Sequence, residues 1–290
     1  MNQYIEPIKT ALVFFPFVAL LITLPYMFVQ YRKYGAILLL RTAIIYSFVL
    51  YLMCAYFLVI LPLPDVEMVR GLTSPTVQLI PFNEVAELFS NPAVNLRDSS
   101  TWHKLVWCRG FFQIVANVAM LAPLGVYLRY YFGFSFRKTV LAAFLLSLFF
   151  ELTQLTGLYF LYPRPYRLAD VDDLITNTRG GMLGYWAAPL AMRVLPSKER
   201  MDAVAYHRGE QVSVTRRSFA AMLDFLIMLV ALGTLMWLCP TVAPVGQGAR
   251  AMADWLFGCY GVGVAGYFML GEWLTGGRSI GKVLLHLRLV

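Results

Sequence analysis

Three stretches of this sequence carry ionisable and amide side chains at spacings that could do chemistry. Arg109, Gln113 and Asn117 recur at i, i+4 and i+8, so on a helix they form one polar stripe. Glu151 and Gln154 stand three apart and share a helical face. Asp170, Asp173 and Asn177 fall at i, i+3 and i+7, with Asp172 on a neighbouring face. Just before them, Tyr162-Pro163-Arg164-Pro165-Tyr166-Arg167 places two guanidiniums in a proline-stiffened turn. Guanidinium forks match carboxylate and phosphate oxygens alike. One reading is a binding pocket for a phosphorylated lipid headgroup or an envelope glycan. Another is an enzyme acting on a lipid-linked precursor, with Glu151 or Asp173 as general base and Arg167 stabilising phosphate charge. A third is structural: Arg109 and Arg164 or Arg167 pair with Glu151 and the aspartates and hold helices together. With Arg179 counted the charges nearly balance, and the residues alone leave all three open.

What gives these residues weight is their setting. Of 290 residues, 59% are hydrophobic and 14% charged, against about 25% charged in soluble domains. Several runs reach the roughly 20 apolar residues that cross a bilayer. The expected fold is all-α, a polytopic membrane helix bundle with spans at 11–30, 37–61, 106–130, 137–160, 173–195, 217–238 and 251–272. Alternating ten-residue segments of a membrane barrel are absent. In hydrocarbon an ionisable group is expensive, so a cluster of them marks a site by default. The first apolar run is too long for a signal-peptide core and reads as a retained anchor.

The net charge of +8 suits anionic lipid headgroups, and no nucleic-acid partner is expected. Basic residues fix the orientation: Arg32 and Lys33, Arg129 with Arg137 and Lys138, and Lys198 through Arg217 mark cytoplasmic loops. The N-terminus is then outside, the C-terminus cytoplasmic, and the polar groups of spans three to five gather at the outer leaflet. Segment 62–106 is long for a connection, and Asn83 to Phe89 looks like a short amphipathic helix with an asparagine cap near the interface. Gly180, Gly181 and Gly184 form a small-residue face for close helix approach. Arg41, near a helix end, can snorkel. Four scattered cysteines and three scattered histidines suggest no disulfide, metal site or catalytic triad. No cofactor is expected. Gly276 with Gly281-Lys282 fits a phosphate-loop pattern, but Val283 replaces the hydroxyl residue that holds magnesium, so that reading is rejected.

Asn117 through Gly125 (NVAMLAPLG), then Phe150-Glu151-Leu152-Thr153-Gln154, then Tyr166-Arg167, Asp170-Val171-Asp172-Asp173 and Asn177-Thr178-Arg179-Gly180-Gly181 resemble the VanZ-like family in order and spacing. The likeness covers about residues 1–195. It implies a membrane protein associated with resistance to teicoplanin and related lipoglycopeptides, without altered peptidoglycan precursors. It makes Asn117, Glu151, Gln154, Arg167, Asp170, Asp172, Asp173 and Asn177 signature positions. Arg217, Ala220 and Asp224, followed by Gly277-Arg278-Ser279-Ile280-Gly281-Lys282, resemble an RDD domain, and Arg217 stands two turns from Asp224 as a basic partner. That family's pattern continues into a further hydrophobic segment, so the stretch reads as incomplete. The expected organisation is a membrane domain at 1–195, a cytoplasmic linker at 196–216 and an RDD-like segment at 217–290. The expected partners are membrane lipids, with a lipoglycopeptide or a lipid-linked envelope precursor as ligand. A transporter, suggested by Asp224, is a further alternative. Ligand identity and oligomeric state are left open.

Overall fold

The computed structural model describes residues 2–90, 108–238, 248–274, 276 and 278–287. Among these the elements are α1 (Asn2–Tyr34), α2 (Leu39–Ile60), α3 (Val66–Arg70), β1 (Val77–Gln78), α4 (Asn83–Phe89), α5 (Arg109–Tyr130) and α6 (Phe136–Leu155). There follow α7 (Gly157–Phe160), β2 (Ala169–Asp170), α8 (Val171–Val194), α9 (Lys198–Glu210), α10 (Val214–Leu238), α11 (Ala249–Leu274) and α12 (Ile280–Leu284). Helices lie over all seven expected span positions, and the chain is a helical membrane protein. Five of them, in α1, α2, α5, α6 and α10, have the length and hydropathy to cross a membrane. The first turns of α8 carry Asp172, Asp173, Asn177 and Arg179, and its apolar part comes later. Phe17 and Leu190 are 69% and 63% exposed; such aliphatic and aromatic surface is stable against lipid tails and costly against water. The charged stretch after residue 196, read as a linker, is largely the helix α9.

The chain divides into two compact units, residues 1–19 with 43–200 and residues 20–42 with 201–290. In the first unit the buried core joins Ala55, Val59 and Ile60 of α2 to Leu121, Leu124 and Leu128 of α5 and Ala143 and Phe150 of α6. Packing of α5 against α8 depends on glycine. A Cβ at Gly180 would collide with the carbonyl of Val118, one at Gly184 with the carbonyl of Ala122, and one at Gly125 with the carbonyl of Gly181. The small-residue face expected at 180–184 is thus a backbone-to-backbone contact.

The end of α2 follows from its prolines. Pro62 and Pro64 have no N–H to give to the carbonyls of Leu58 and Ile60, four residues earlier, so the helix stops and leaves acceptors open. After α6 the chain reverses through four consecutive residues at positive φ, Gly157, Leu158, Tyr159 and Phe160. Left-handed backbone costs non-glycine residues about 1–2 kcal/mol each. The Thr156 hydroxyl supports the turn by accepting from the N–H of Tyr159 at 3.1 Å. β1 and β2 then pair in parallel, Val77 opposite Ala169 and Gln78 opposite Asp170.

In the second unit Tyr31, Phe219, Ala220, Leu285 and Leu287 form the core. Arg41 does not snorkel there. It is 2% exposed, donates to Asp202 and Gln30, and lies over the Tyr34 ring at 4.1 Å. A buried guanidinium needs this matching of charge and hydrogen bonds.

Candidate functional site

The polar residues of α5, α6 and α8 converge on one cavity of about 610 Å³ in the first unit. Of the expected site residues, Gln113, Asn117, Glu151, Gln154, Arg167, Asp170, Asp173 and Asn177 line it. Helical periodicity explains this grouping: each pair sits a turn or two apart on the face its helix turns inward. Leu58, Val59, Pro62, Met120 and Phe150 supply apolar wall, and Glu84 of α4 adds a fourth carboxylate to those of Glu151, Asp170 and Asp173. Glu84 was missed because only the folded chain brings α4 here.

The carboxylates are held in place by neutral donors. Asp173 accepts a hydrogen bond from the Asn117 amide, and Gln113 also bonds to it. Glu151 accepts from the backbone N–H of Asp170 at 2.9 Å, and the Asp170 side chain caps α8 by accepting from the N–H of Asp172 at 2.8 Å. Burial, and after it the charges of Asp173, Asp170 and Asp172, push Glu84 up to about 7. Burial also raises Asp170. No ion pair joins any of these carboxylates to a basic residue among the described residues.

The arginines of the Pro-Arg-Pro turn are occupied elsewhere. Arg167 donates to the carbonyls of Leu58, at 3.3 Å, and Leu61. The Tyr166 hydroxyl donates to Ile60 at 2.7 Å, and the Gln154 amide to Val59 at 3.3 Å. These are the carbonyls at the proline-broken end of α2, where positive charge also meets the negative end of the helix dipole. Arg164 donates to the carbonyls of Leu72 and Ser74, and the Tyr162 hydroxyl to Pro64 at 2.9 Å. The expected pairing of Arg164 or Arg167 with the acidic cluster is therefore replaced by a staple onto residues 58–74. Arg164 and Tyr166 do not line the cavity.

Asp172 also departs from expectation. It is 3% exposed and faces α4, accepting from the N–H groups of Phe82 at 2.5 Å and Glu84 at 2.8 Å. Asn83 is not the cap of that helix: Phe82 holds the cap position at φ 64, and the Asn83 amide donates to Glu87 at 2.8 Å. A carboxylate from far along the chain satisfies the first amides of α4 and complements its dipole. Arg179 lies over the Phe82 ring at 5.7 Å. The side chain of Arg109 lies outside the described residues.

The residues of this cavity all lie within the stretch that a family model matches. The family model described as VanZ/LLP1 matches residues 48–192, half of the chain. The chain belongs to the VanZ/LLP1 family. A second model, the RDD family, matches residues 212–290. No curated protein and no solved structure matches. This VanZ-type chain is therefore a membrane protein of a family related to glycopeptide resistance, with an RDD segment following.

In that segment Asp224, 4% exposed, does not use Arg217, whose side chain is exposed. Asp224 accepts from the Tyr267 hydroxyl at 2.5 Å, the Ser279 hydroxyl at 2.5 Å and the Gly281 N–H at 2.6 Å. Gly281 of the phosphate-loop-like pattern thus receives a carboxylate of the protein itself. Gly281 has no alternative here, since a Cβ would strike the carbonyl of Ala220. The neighbouring Arg216 is the buried one, donating to the carbonyls of Gly209 at 3.1 Å and Leu285 at 2.6 Å.

Proposed function

We propose that this protein lowers susceptibility to teicoplanin-type lipoglycopeptides, and that it does so by holding a polar group of a lipid, an envelope precursor or the drug in the cavity between α5, α6 and α8. The observation that carries this reading is the convergence of the family's signature residues Asn117, Glu151, Gln154, Asp170, Asp173 and Asn177 on one cavity. Three helices each contribute polar groups whose burial costs free energy, and such a cost is retained where the groups have work to do. The distribution of basic loops named above supports an outer-leaflet position for this end of the bundle, on the side from which a lipoglycopeptide approaches.

The test is drug susceptibility in a host expressing the full chain. Glu151→Gln and Asp173→Asn keep shape and one acceptor oxygen while removing charge. Each should return the host to the susceptibility of an empty-vector strain, with unchanged amounts of protein in the membrane fraction. Undiminished resistance in both variants would sink the cavity as the working site.

A further inference from the structure

The cavity's lining is one-sided in its hydrogen-bonding capacity, and that defines the group it takes. Among the described side chains, the carboxylates of Glu84, Glu151, Asp170 and Asp173 face it with one guanidinium, Arg167, which spends two of its donors on the carbonyls of Leu58 and Leu61. An independent observation points the same way. Gln154 is 9% exposed, its amide N–H is committed to Val59, and its Oε1 is buried without a hydrogen-bond partner. Because the Val59 carbonyl can only accept, the orientation of that amide is set and the orphan is an acceptor. The Glu84 Oε2 is a second buried oxygen without a hydrogen-bond partner in the same lining.

A buried acceptor without a donor is costly, and several carboxylates confined together repel one another. A ligand that brings acceptors, such as a phosphate, would worsen both. A group with donors only and a positive charge relieves both at once, and a primary ammonium has three N–H donors and no acceptor.

We propose that the cavity binds a primary ammonium group against the carboxylates of Glu151 and Asp173, with the Gln154 amide oxygen as a further acceptor. This rests on the reading of the cavity as the working site and replaces the phosphorylated headgroup first suggested by Arg164 and Arg167. The apolar wall of Val59, Met120 and Phe150 suits the carbon atoms carrying that ammonium. Its source is an aminolipid headgroup or the amine of a lipoglycopeptide.

The test uses the full chain in phosphatidylcholine nanodiscs, with binding read by native mass spectrometry. The probes are phosphatidylethanolamine, N-acetyl-phosphatidylethanolamine, phosphatidylglycerol, teicoplanin and N-acetyl-teicoplanin. At least one amine should bind about tenfold or more tightly than its acetylated counterpart, and Glu151→Gln and Asp173→Asn should each remove about tenfold in affinity. The probe that binds identifies the source. Circular dichroism and melting temperature show whether the variants fold, and the acetylated ligands test the proposal on the unaltered protein in any case. Equal binding of amine and acetylated forms, or tighter binding of phosphatidylglycerol, overturns it. If amines fail to bind while Glu151→Gln still abolishes resistance, the ammonium proposal falls and the proposed function stands. If amines bind and the protein leaves susceptibility unchanged, the proposed function falls.

Discussion

Asp170, Asp172 and Asp173 lie within four residues of one another and do three different jobs. Asp170 caps its own helix, Asp173 faces the cavity with Asn117, and Asp172 holds the amides of Phe82 and Glu84. Replacing Asp172 by alanine should therefore destabilise the first unit by about 1–3 kcal/mol. The melting temperature should drop, and hydrogen exchange at the Phe82 and Glu84 amides should rise before that of α5. Glu84 gives a pH dependence of definite sign. It is held up to about 7 against an ordinary value of 4.5, so between those pH values the folded protein keeps a proton that the unfolded chain has released. Stability then falls as pH rises through that window and levels off above it. Melting temperatures across the window should show that decline, and Glu84→Gln should reduce it, leaving the contribution of the same sign from Asp170. Gln113, Asn117, Glu151, Gln154 and Asp173 were legible in the sequence because helical spacing and the cost of polar groups in lipid both single them out. Arg164, Tyr166 and Asp172 were misread because their partners are backbone carbonyls and amides, which leave no trace in residue type.

Helix positions were the most readable level of structure. The apolar runs and their prolines located α1, α2, α5, α6 and α10, and the glycines of α8 announced a close neighbour. What they did not disclose was which neighbour. In the fold it is α5, whose Val118 and Ala122 carbonyls press against Gly180 and Gly184. Backbone cannot yield as a flexible side chain can, so Gly184→Val should cost about 1–3 kcal/mol or more by overpacking. Thermal melting of the detergent-solubilised protein measures this; a melting temperature equal to that of the unaltered chain would contradict the contact. The short helix α4 was also legible, but its cap was assigned to Asn83 because a local residue was the only candidate that sequence reasoning could weigh. The expected span at 37–61 also ends within a residue of the end of α2. The docking of Arg167, Tyr166 and Gln154 on its open carbonyls was not legible, since it joins residues about a hundred positions apart.

At the scale of the whole molecule, composition established the solvent and the two family resemblances established the order of parts. The compact units do not respect that order: residues 20–42 group with 201–290, which no motif or linker composition indicated. Within the second unit the sequence singled out Asp224 but paired it with Arg217 from helical spacing, whereas the structure gives it Tyr267, Ser279 and Gly281. Within the first unit, the parallel pairing of Val77 and Gln78 with Ala169 and Asp170, the Asp172 clasp on α4 and the Arg164 clasp on Leu72 all bridge about ninety residues. Such links close long loops and gain nothing until both ends are in place. Residues 77–84, which bring Glu84 to the cavity, should consequently be the last part of this unit to assemble and the first to come apart. Pulsed hydrogen exchange during refolding should find the amides of 77–84 protected after those of α5 and α6. On the proposed reading of the cavity, ligand binding would then arrive only at the end of folding, because a half-built chain carries the carboxylates before residues 77–84 have closed against them.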